Sequence, residues 1–452
     1  MVVFAVDQFS ASIYSLLLKF NHRTACSMES HLNINPHQQN ANKSNRSSKN
    51  LQLLHQSALL FLLLCTFLVP ISITATTITY LIAVSLSLIW TVKAHRSLTH
   101  YLHPVVLCFL TIWCTFFVFS FHSIGDTSQI LSFIHKQHIF LFTPLLLFVI
   151  RSDRQRERII NAFVIAMGLT TIIATLKTIG WDPLLLLFHF HKPKANVFFF
   201  HIVQSFFMSI AFLIESYRLF ILRHQKYYYL RVLFLLLMVT HILLFSDSRT
   251  GYLCIGIAVF YLSFLKYRWR GLVIMCVTMC ALFACSYMVS SQFHTRMREI
   301  ITQAQDFHRG HTQTSVGIRM GMWNNSWRLI AQYPLLGVGT AGIPNAIHSH
   351  LTAAQIKESG SIIFTECSII NFWLQFGVWG IIVFVGFFYC LWYYSGALDR
   401  FYQAILRGFL LLFLSGSLIN AFIMSFPIMH LFSILIAVLI SPAINRKLIE
   451  KN

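Results

Sequence analysis

Long apolar runs separated by short polar segments make up most of the 452-residue chain. A helix needs about 20 mainly apolar residues to cross a bilayer, because a spanning segment must pair its own backbone polar groups in lipid. On this criterion the pattern predicts about twelve spans in an all-α, polytopic integral membrane protein. The predicted spans are residues 57–71, 77–92, 104–121, 130–150, 159–179, 197–220, 230–245, 251–265, 272–289, 368–392, 405–424 and 429–444. The run 130–150 is the weakest, since it contains His135, Lys136 and His138.

One long polar segment, residues 291–366, interrupts the apolar pattern. Within it, apolar residues recur at Met320, Trp323, Trp327 and Ile330, a spacing that predicts an amphipathic helix over residues 320–336. A proline at position 334 should end that helix, and the glycines of GVGTAG (337–342) should form a turn. The GVGTAG stretch follows no predicted strand, so it does not indicate a dinucleotide site. We therefore expect one long loop that contains amphipathic helices.

Composition supports lipid as the solvent, with 56% hydrophobic and 11% charged residues, whereas soluble domains have about 25% charged residues. The formal net charge is +20, but the basic residues stand in short clusters between apolar runs. That distribution argues against nucleic-acid binding. With twelve spans, these clusters fall on the side of the N-terminal tail, as the positive-inside rule requires. We therefore expect both termini in the cytoplasm and the long loop outside.

These patterns divide the chain into five predicted segments. They are a cytoplasmic polar tail (1–52), a first bundle of about nine spans (53–290), a large outward loop (291–367), three last spans (368–445) and a cytoplasmic C-terminus (446–452). The Asn- and Ser-rich stretch 33–50 is expected to be disordered, with a short interfacial helix as the alternative. The ten cysteines have no disulfide or metal-ligand spacing.

Two arginines are the predicted anion-binding residues. Arg249 lies in FSDSRTGYL, a turn too short to leave the bilayer edge, and a guanidinium held there suits phosphate oxygens. Simple snorkelling to the interface is the alternative. Arg319 lies in the first turns of the amphipathic helix, where helix N-terminal amides could help to hold an anion. Its alternative is a surface ion pair with Glu299 or Asp306.

Four residues of the long loop are possible proton acceptors, namely His348, His350, Glu358 and Glu366. Glu366 precedes the span 368–392 directly, and partial desolvation there would make its carboxylate a better base. Its alternative is a cap at the positive end of that helix. The i, i+2 spacing of the two histidines does not place both on one helix face, so a helical metal pair is not expected. Elsewhere, Glu215 is expected to pair with Arg218.

At these residues the chain resembles the O-antigen ligase and polymerase family of bacterial inner-membrane proteins. The resemblance lies in SRTGYL (248–253), SVGIRMGMWNNSWRLIAQYPLLGVGTAGI (315–343) and ECSIINFWLQFGVWGIIVF (366–384), and it extends over about residues 232–389. It implies that Arg249 and Arg319 hold a pyrophosphate. The family's usual His-Asn/Ser pair, which precedes a glycine, falls on Glu366-Cys367, with Gly377 as the glycine. Glu366 would then replace the histidine as base, or His348 or His350 would supply it.

The resemblance implies a glycosyltransferase that moves a polysaccharide from undecaprenyl pyrophosphate to lipid A-core at the periplasmic face, an O-antigen ligase of lipopolysaccharide biosynthesis. A polymerase that joins lipid-linked repeats is the alternative within the family. A polyprenyl-glycan flippase or transporter is the alternative outside it, but the chemical residues gather at one face, which favours an enzyme. No DxD-like cluster occurs in the loop, so we expect neither metal nor cofactor. The expected partners are the lipid-linked donor, the acceptor and membrane lipids.

Overall fold

The computed structural model describes residues 36–94, 103–181, 197–222, 227–246, 248–289, 314–350 and 365–449, together with residue 352 and isolated residues between 294 and 306. Every regular element in these ranges is a helix, which confirms the all-α prediction. The helices, numbered along the chain, are α1 (Pro36–Leu68), α2 (Ile73–Lys93), α3 (Pro104–Val118), α4 (Thr127–Lys136), α5 (His138–Leu146), α6 (Asp153–Thr178), α7 (His201–Ser216), α8 (Tyr228–Thr240), α9 (Arg249–Tyr267), α10 (Trp269–Val289), α11 (Ser315–Gln332), α12 (Ile343–His350), α13 (Ser368–Ser395), α14 (Arg400–Ile419) and α15 (Phe426–Ile449).

Eight helices in the described ranges are long and apolar enough to cross a membrane. They are the segment Ser48–Leu68 of α1, then α2, α6, α7 extended to Ile221, α8 extended to Phe245, α9, α13 and α14. Two shorter apolar helices, Pro104–Val118 and Phe426–Ser441, stand beside them. The chain is thus a membrane protein with several apolar helices, and the number of twelve spans stays a prediction.

The predicted span 130–150 is not one helix in the structure. The chain forms α4, turns at Gln137 and continues as α5. The backbone N–H of Gln137 bonds to the carbonyls of both Phe133 and Ile134, at 3.1 Å each, a shared bond typical of a helix end. The interruption falls among His135, Lys136 and His138, the residues that made this run the weakest. Helix α4 has no buried residue, whereas most of α5 is buried against its neighbours.

The tail was expected to be disordered over residues 33–50, but residues 36–50 are helical. Pro36 is the first residue of α1, a position that suits proline because no intrahelical partner exists there for a backbone N–H. The polar residues 36–50 and the apolar segment that follows them are thus parts of one continuous helix. The interpretation of this part as a disordered tail was wrong.

Helix α7 is the most buried of the eight candidate spans, since 89% of the residues in its most apolar stretch are buried inside the protein. It packs against α6, α8, α9 and α14. Helix α13 packs against α3, α14 and α11, and α15 packs against α5. Helices α9 and α13 both contact α14, and α11 contacts α13, so these contacts connect helices that are distant in the sequence.

The glycine turn predicted at 337–342 is present and packs on an interruption in α13. Gly377 has a φ of 58° inside that helix, and a Cβ at this position would lie 2.1 Å from the Leu335 carbonyl oxygen. The backbone N–H groups of Val338 and Gly339 donate to the carbonyls of Leu374 and Gln375 at 2.8 and 2.9 Å. A side chain at residue 377 would separate the two segments, so glycine is required there.

The helix predicted over 320–336 is present as α11, which begins earlier, at Ser315, and ends before Pro334. Its buried apolar side chains are Met322, Leu329 and Ile330. Trp327, which was assigned to the apolar stripe, is 50% exposed and meets Trp373 edge-on at 5.5 Å. The helix was therefore predicted correctly, and within its predicted apolar stripe Ile330 is buried while Trp327 is half exposed.

Candidate functional site

An ion pair between Arg319 and Glu366 is the centre of the candidate site. Helix α11 begins after Thr314, whose hydroxyl accepts a bond from the Gly317 N–H at 3.0 Å, and Arg319 lies in the second turn. Its Nε and Nη2 atoms both donate to Oε2 of Glu366, at 2.9 and 2.7 Å. The side chains are 26% and 35% exposed, so the pair is accessible to a ligand. Two residues predicted separately from the sequence are thus in direct contact.

This pair replaces two alternatives raised by the sequence. The partner of Arg319 is Glu366 and neither Glu299 nor Asp306. The Glu366 carboxylate in turn bonds to a guanidinium rather than capping α13, whose N-cap residue is Cys367. The carboxylate of Glu366 therefore faces Arg319 and not the start of α13.

Buried polar bonds fix the backbone next to Glu366. The side-chain amide of Asn371 donates to the Thr365 carbonyl at 2.6 Å, and the Thr365 N–H donates to the Asn371 side-chain oxygen at 3.0 Å. Both residues are buried. Burial also raises the pKa of the Cys367 thiol, the residue on the other side of Glu366. Buried hydrogen bonds therefore hold the backbone on both sides of Glu366 in place.

Arg249 is the first residue of α9. The hydroxyl of Ser248 caps this helix by accepting a bond from the Gly251 N–H at 3.1 Å, and it also accepts one from Ser205 of α7 at 2.7 Å. The Arg249 guanidinium lies 3.6 Å from a carboxylate oxygen of Glu299 and is 21% exposed. The arginine is thus fixed at a helix start by buried serines while its charged end remains partly accessible.

Asn420, at the end of α14, connects the beginning of α9 to the beginning of α13. Its side-chain amide donates to the Thr250 hydroxyl at 2.9 Å, and its backbone carbonyl accepts a bond from the Ser368 hydroxyl at 3.3 Å. Thr250 follows Arg249 directly, and Ser368 lies two residues after Glu366. These bonds place Arg249 and the Arg319–Glu366 pair at the same end of the helices.

The arrangement suits an anionic ligand that carries several charged oxygens. Arg249, Arg319 and Glu366 lie at or near the N-terminal ends of α9, α11 and α13, where unpaired amides give a positive field. Two guanidinium groups add geometry-specific donors for phosphate oxygens. One carboxylate beside them provides a proton acceptor.

The two histidines do not join this group. His348 and His350 lie in α12, where His350 Nε2 is 2.7 Å from the Tyr333 hydroxyl. Among the contacts of the described residues, none connects either histidine to Arg319 or Glu366. Both side chains are exposed. Glu358, the fourth predicted acceptor, lies outside the described residues.

A second ionic cluster occurs away from this group. Glu215 accepts bonds from Arg218 at 2.7 Å and from Arg231 at 2.8 Å, and Arg218 also bonds to Glu157 at 2.5 Å. The pairing of Glu215 with Arg218 is therefore confirmed. Glu215 is only 4% exposed, compared with 35% for Glu366, although Glu215, Arg218 and Arg231 also line a cavity of about 490 Å³.

Sequence reasoning missed Asn420 and Asn371, which position the charged residues. Both are polar amides within apolar runs, and such residues mark functional or packing sites when a helix lies in lipid. Attention to that signal could have singled them out. The hydrogen-bond partners of Asn420 and Asn371 could not be predicted in this way, because no local sequence pattern indicates how far along the chain each partner lies.

Comparison with known families agrees with the resemblance noted in the sequence. A family model described as O-Antigen ligase matches residues 233–385, a region that begins in α8, ends in α13 and contains Arg249, Arg319 and Glu366. A comparison of the chain with curated proteins gave no match. Over residues 233–385, about a third of its length, the chain is therefore similar to the O-antigen ligase family.

Proposed function

We propose that the protein is a metal-independent glycosyltransferase that moves a polysaccharide from undecaprenyl pyrophosphate to lipid A-core, which is the O-antigen ligase step of lipopolysaccharide biosynthesis. The observation that carries this proposal is the accessible Arg319–Glu366 pair, which is linked through Asn420 and Thr250 to Arg249. It combines donors for a leaving pyrophosphate with an acceptor for one proton. The family match supports glycan transfer as the class of reaction.

In this proposal, Arg249 and Arg319 bind the pyrophosphate of the donor. The bond from the anomeric carbon to the phosphate oxygen breaks, and its electron pair leaves on undecaprenyl pyrophosphate. Negative charge then grows on oxygens close to both guanidinium groups and to the helix N-termini. Fixed donors of this kind stabilise a transition state most where water is partly excluded.

Glu366 acts as the base. The acceptor hydroxyl attacks the anomeric carbon, a new carbon–oxygen bond forms, and the hydroxyl proton passes to the carboxylate and then to solvent. Before the donor arrives, Arg319 occupies this carboxylate through Oε2. The incoming pyrophosphate competes for the guanidinium, so donor binding releases the base. Chemistry then starts only when the donor is present.

The proposed location is the bacterial inner membrane, with the site facing the periplasm. The apolar helices and the family match support a membrane protein, and the basic clusters support this orientation. Reporter fusions after Arg158, Arg270 and Arg400 should give a cytoplasmic signal, while fusions at residues 303 and 360 should give a periplasmic one. A cytoplasmic signal at residue 360 would overturn the orientation and the site's location together.

The main alternative is a polymerase that joins lipid-linked repeats, and a transporter is the second. The lipopolysaccharide gel pattern of a deletion strain separates these activities. Complete loss of attached glycan is expected of a ligase, whereas single-repeat products indicate a polymerase. For a transporter, purified protein supplied with donor and acceptor on the same side of a membrane would give no product. Transfer by the purified protein in the presence of a chelator is the expected result.

A further inference from the structure

A cavity of about 360 Å³ lies beside the candidate site and has no role in the proposed transfer step. Helix α4 forms one wall through Gln129, Ser132, Phe133 and Lys136, and Gln375 of α13 contributes to another. The volume falls within the range of about 300–1,000 Å³ that is usual for small-molecule sites. Helix α4 is amphipathic, has no buried residue and lies where the sequence predicted a span. Lining this cavity is a role for that helix.

The segments that build the candidate site also build this cavity. Gln375 lies one helical turn after Asn371, the residue that fixes Thr365, and its side-chain oxygen accepts a bond from the Ala341 N–H at 2.9 Å. Met424 lies four residues after Asn420 and contributes to the cavity wall. Seven residues separate Ser368 from Gln375, which corresponds to roughly 10 Å along a helix. A ligand longer than one sugar ring could therefore reach from the site to the cavity.

The lining has the chemistry that recognises a sugar ring. The amide of Gln129 and the hydroxyl of Ser132 can bond to sugar hydroxyls, while the half-buried ring of Phe133 offers an apolar surface to a sugar face. The Gln375 amide is buried and already pairs with the Ala341 N–H and the Asn371 carbonyl, so it shapes the wall. Lys136 adds one ammonium group and is exposed. Because it can give three charge-assisted bonds, it favours a ligand that carries a negative charge.

We propose that this cavity binds a sugar unit that bears an anionic substituent, a carboxylate or a phosphate, and that Lys136 selects that substituent. The inference rests on the proposed function, since it names a feature of the glycan that the same site would process. Either the donor glycan or the acceptor oligosaccharide could carry this sugar. The two sources share the same chemistry at the cavity and differ only in which substrate loses affinity when Lys136 is changed.

Binding to the purified full-length protein tests the proposal without requiring turnover. The probes are trigalacturonate, glucose 6-phosphate and neutral maltotriose, with dissociation constants measured by ligand-observed NMR. The anionic probes should bind about tenfold more tightly than maltotriose, as one charge-assisted hydrogen bond would give. Lys136→Gln should abolish that difference. Lys177→Gln removes a lysine at the end of α6, away from this cavity, and should preserve it.

A transfer assay then identifies the source of the charge. Lys136→Gln should raise the KM of the substrate that carries the anionic sugar about tenfold and leave the other KM unchanged. Equal binding of charged and neutral probes, no binding of any probe, or equal behaviour of the parent and Lys136→Gln would each overturn the proposal. Loss of transfer in Arg319→Ala together with a silent Lys136→Gln would reject the cavity and retain the transferase. Charge-selective binding by a protein that transfers no glycan would retain the cavity proposal and reject the transferase.

Discussion

The Arg319–Glu366 ion pair and the ionic cluster around Glu215 differ in how deeply their carboxylates are buried. Near the beginning of α7, Ser205 supports the Ser248 cap next to Arg249, and Arg218 lies thirteen residues later near its other end. That separation is about 20 Å along the helix. In the cluster around Arg218, Arg218 and Glu215 are 7% and 4% exposed and Glu215 has two arginine partners, whereas Glu157 at the edge of the cluster is 38% exposed. The Arg319–Glu366 pair is open, with single-oxygen contact and a quarter to a third of each side chain exposed.

This difference distinguishes charges that hold a fold from charges that meet a substrate. A buried carboxylate with two guanidinium partners cannot exchange either of them without a large desolvation cost. An exposed pair gains little net free energy from its own contact, so an anionic ligand can displace one partner. We therefore expect the same residue types to have a structural role in the Glu215 cluster and a chemical role in the Arg319–Glu366 pair.

Replacing Glu366 should give the largest effect on activity. Glu366→Gln keeps the size of the side chain but cannot accept the proton, and a positioned base contributes about 10²–10⁴-fold to rate. Transfer by the purified variant should fall by that factor while its abundance in the membrane stays unchanged. Donor binding should persist. Nearly full transfer in a well-folded variant would remove Glu366 from the base role.

Replacing Glu215 should instead lower stability. Glu215→Gln leaves Arg218 and Arg231 with an incomplete buried partner, and breaking a buried pair costs about 3–5 kcal/mol. Thermal unfolding in detergent should show a clear loss, with little change in the activity of the protein that remains folded. Glu299→Gln is the matched control, because that partly exposed carboxylate should contribute less than about 1 kcal/mol. Equal destabilisation by both changes would contradict the contrast between the clusters.

The arginines should show intermediate effects on transfer. Arg319→Lys keeps the charge and loses the planar fork, so transfer should fall about tenfold or more, the value of one charged hydrogen bond. Arg249→Ala should reduce transfer at least as much without lowering membrane abundance. Steady-state kinetics with varied donor is the measurement. An arginine whose alanine variant is fully active does not hold the pyrophosphate.

The rate at which Cys367 is alkylated measures how accessible the backbone segment next to Glu366 is to solvent. Burial raises the pKa of this thiol, so less of the reactive thiolate exists at neutral pH. Labelling by a maleimide should therefore be slow, and its rate should rise only at higher pH than for a cysteine placed at exposed Ser349. The signal is the difference between the parent chain and Cys367→Ser. Equal rates at pH 7 for both positions would mean that the segment beside Glu366 opens readily.

The two histidines should have the smallest effects. His348 is exposed, and His350 contacts Tyr333 rather than the ion pair. We expect His348→Ala and His350→Ala each to change transfer less than about threefold, well below the contribution of a positioned base. The same transfer assay provides the measurement. Loss of transfer in either variant, combined with a silent Glu366→Gln, would assign the base to α12.

Much of the site could be predicted because its residues lie at boundaries between polar and apolar sequence. Arg249, Arg319 and Glu366 were all found in this way, and the family match covers them. Their grouping could not be predicted, since both alternative partners offered for Arg319 were wrong and the true one is 47 residues away. A local pattern states where a charge can lie but not which distant charge it meets.

The same limit applies to the fold. Hydrophobic runs predicted most of the helices correctly, because the requirement to pair backbone groups in lipid acts on each run separately. The run 130–150 was predicted as one span, but the structure interrupts it at Gln137, among polar residues. The polar composition predicted disorder over 33–50, but residues 36–50 are helical.

The sequence by itself therefore determined the all-α class, helix α11 with the glycine turn after it, and the charged residues at helix ends, since each follows from hydropathy and local backbone preference. Only the tertiary structure decided that Arg319 meets Glu366 and that Asn420 links α13 to α9. It also decided that the glycine turn packs where Gly377 interrupts α13. The physical reason is that these contacts satisfy polar groups across packed helices, and such pairing depends on the arrangement of all the helices at once.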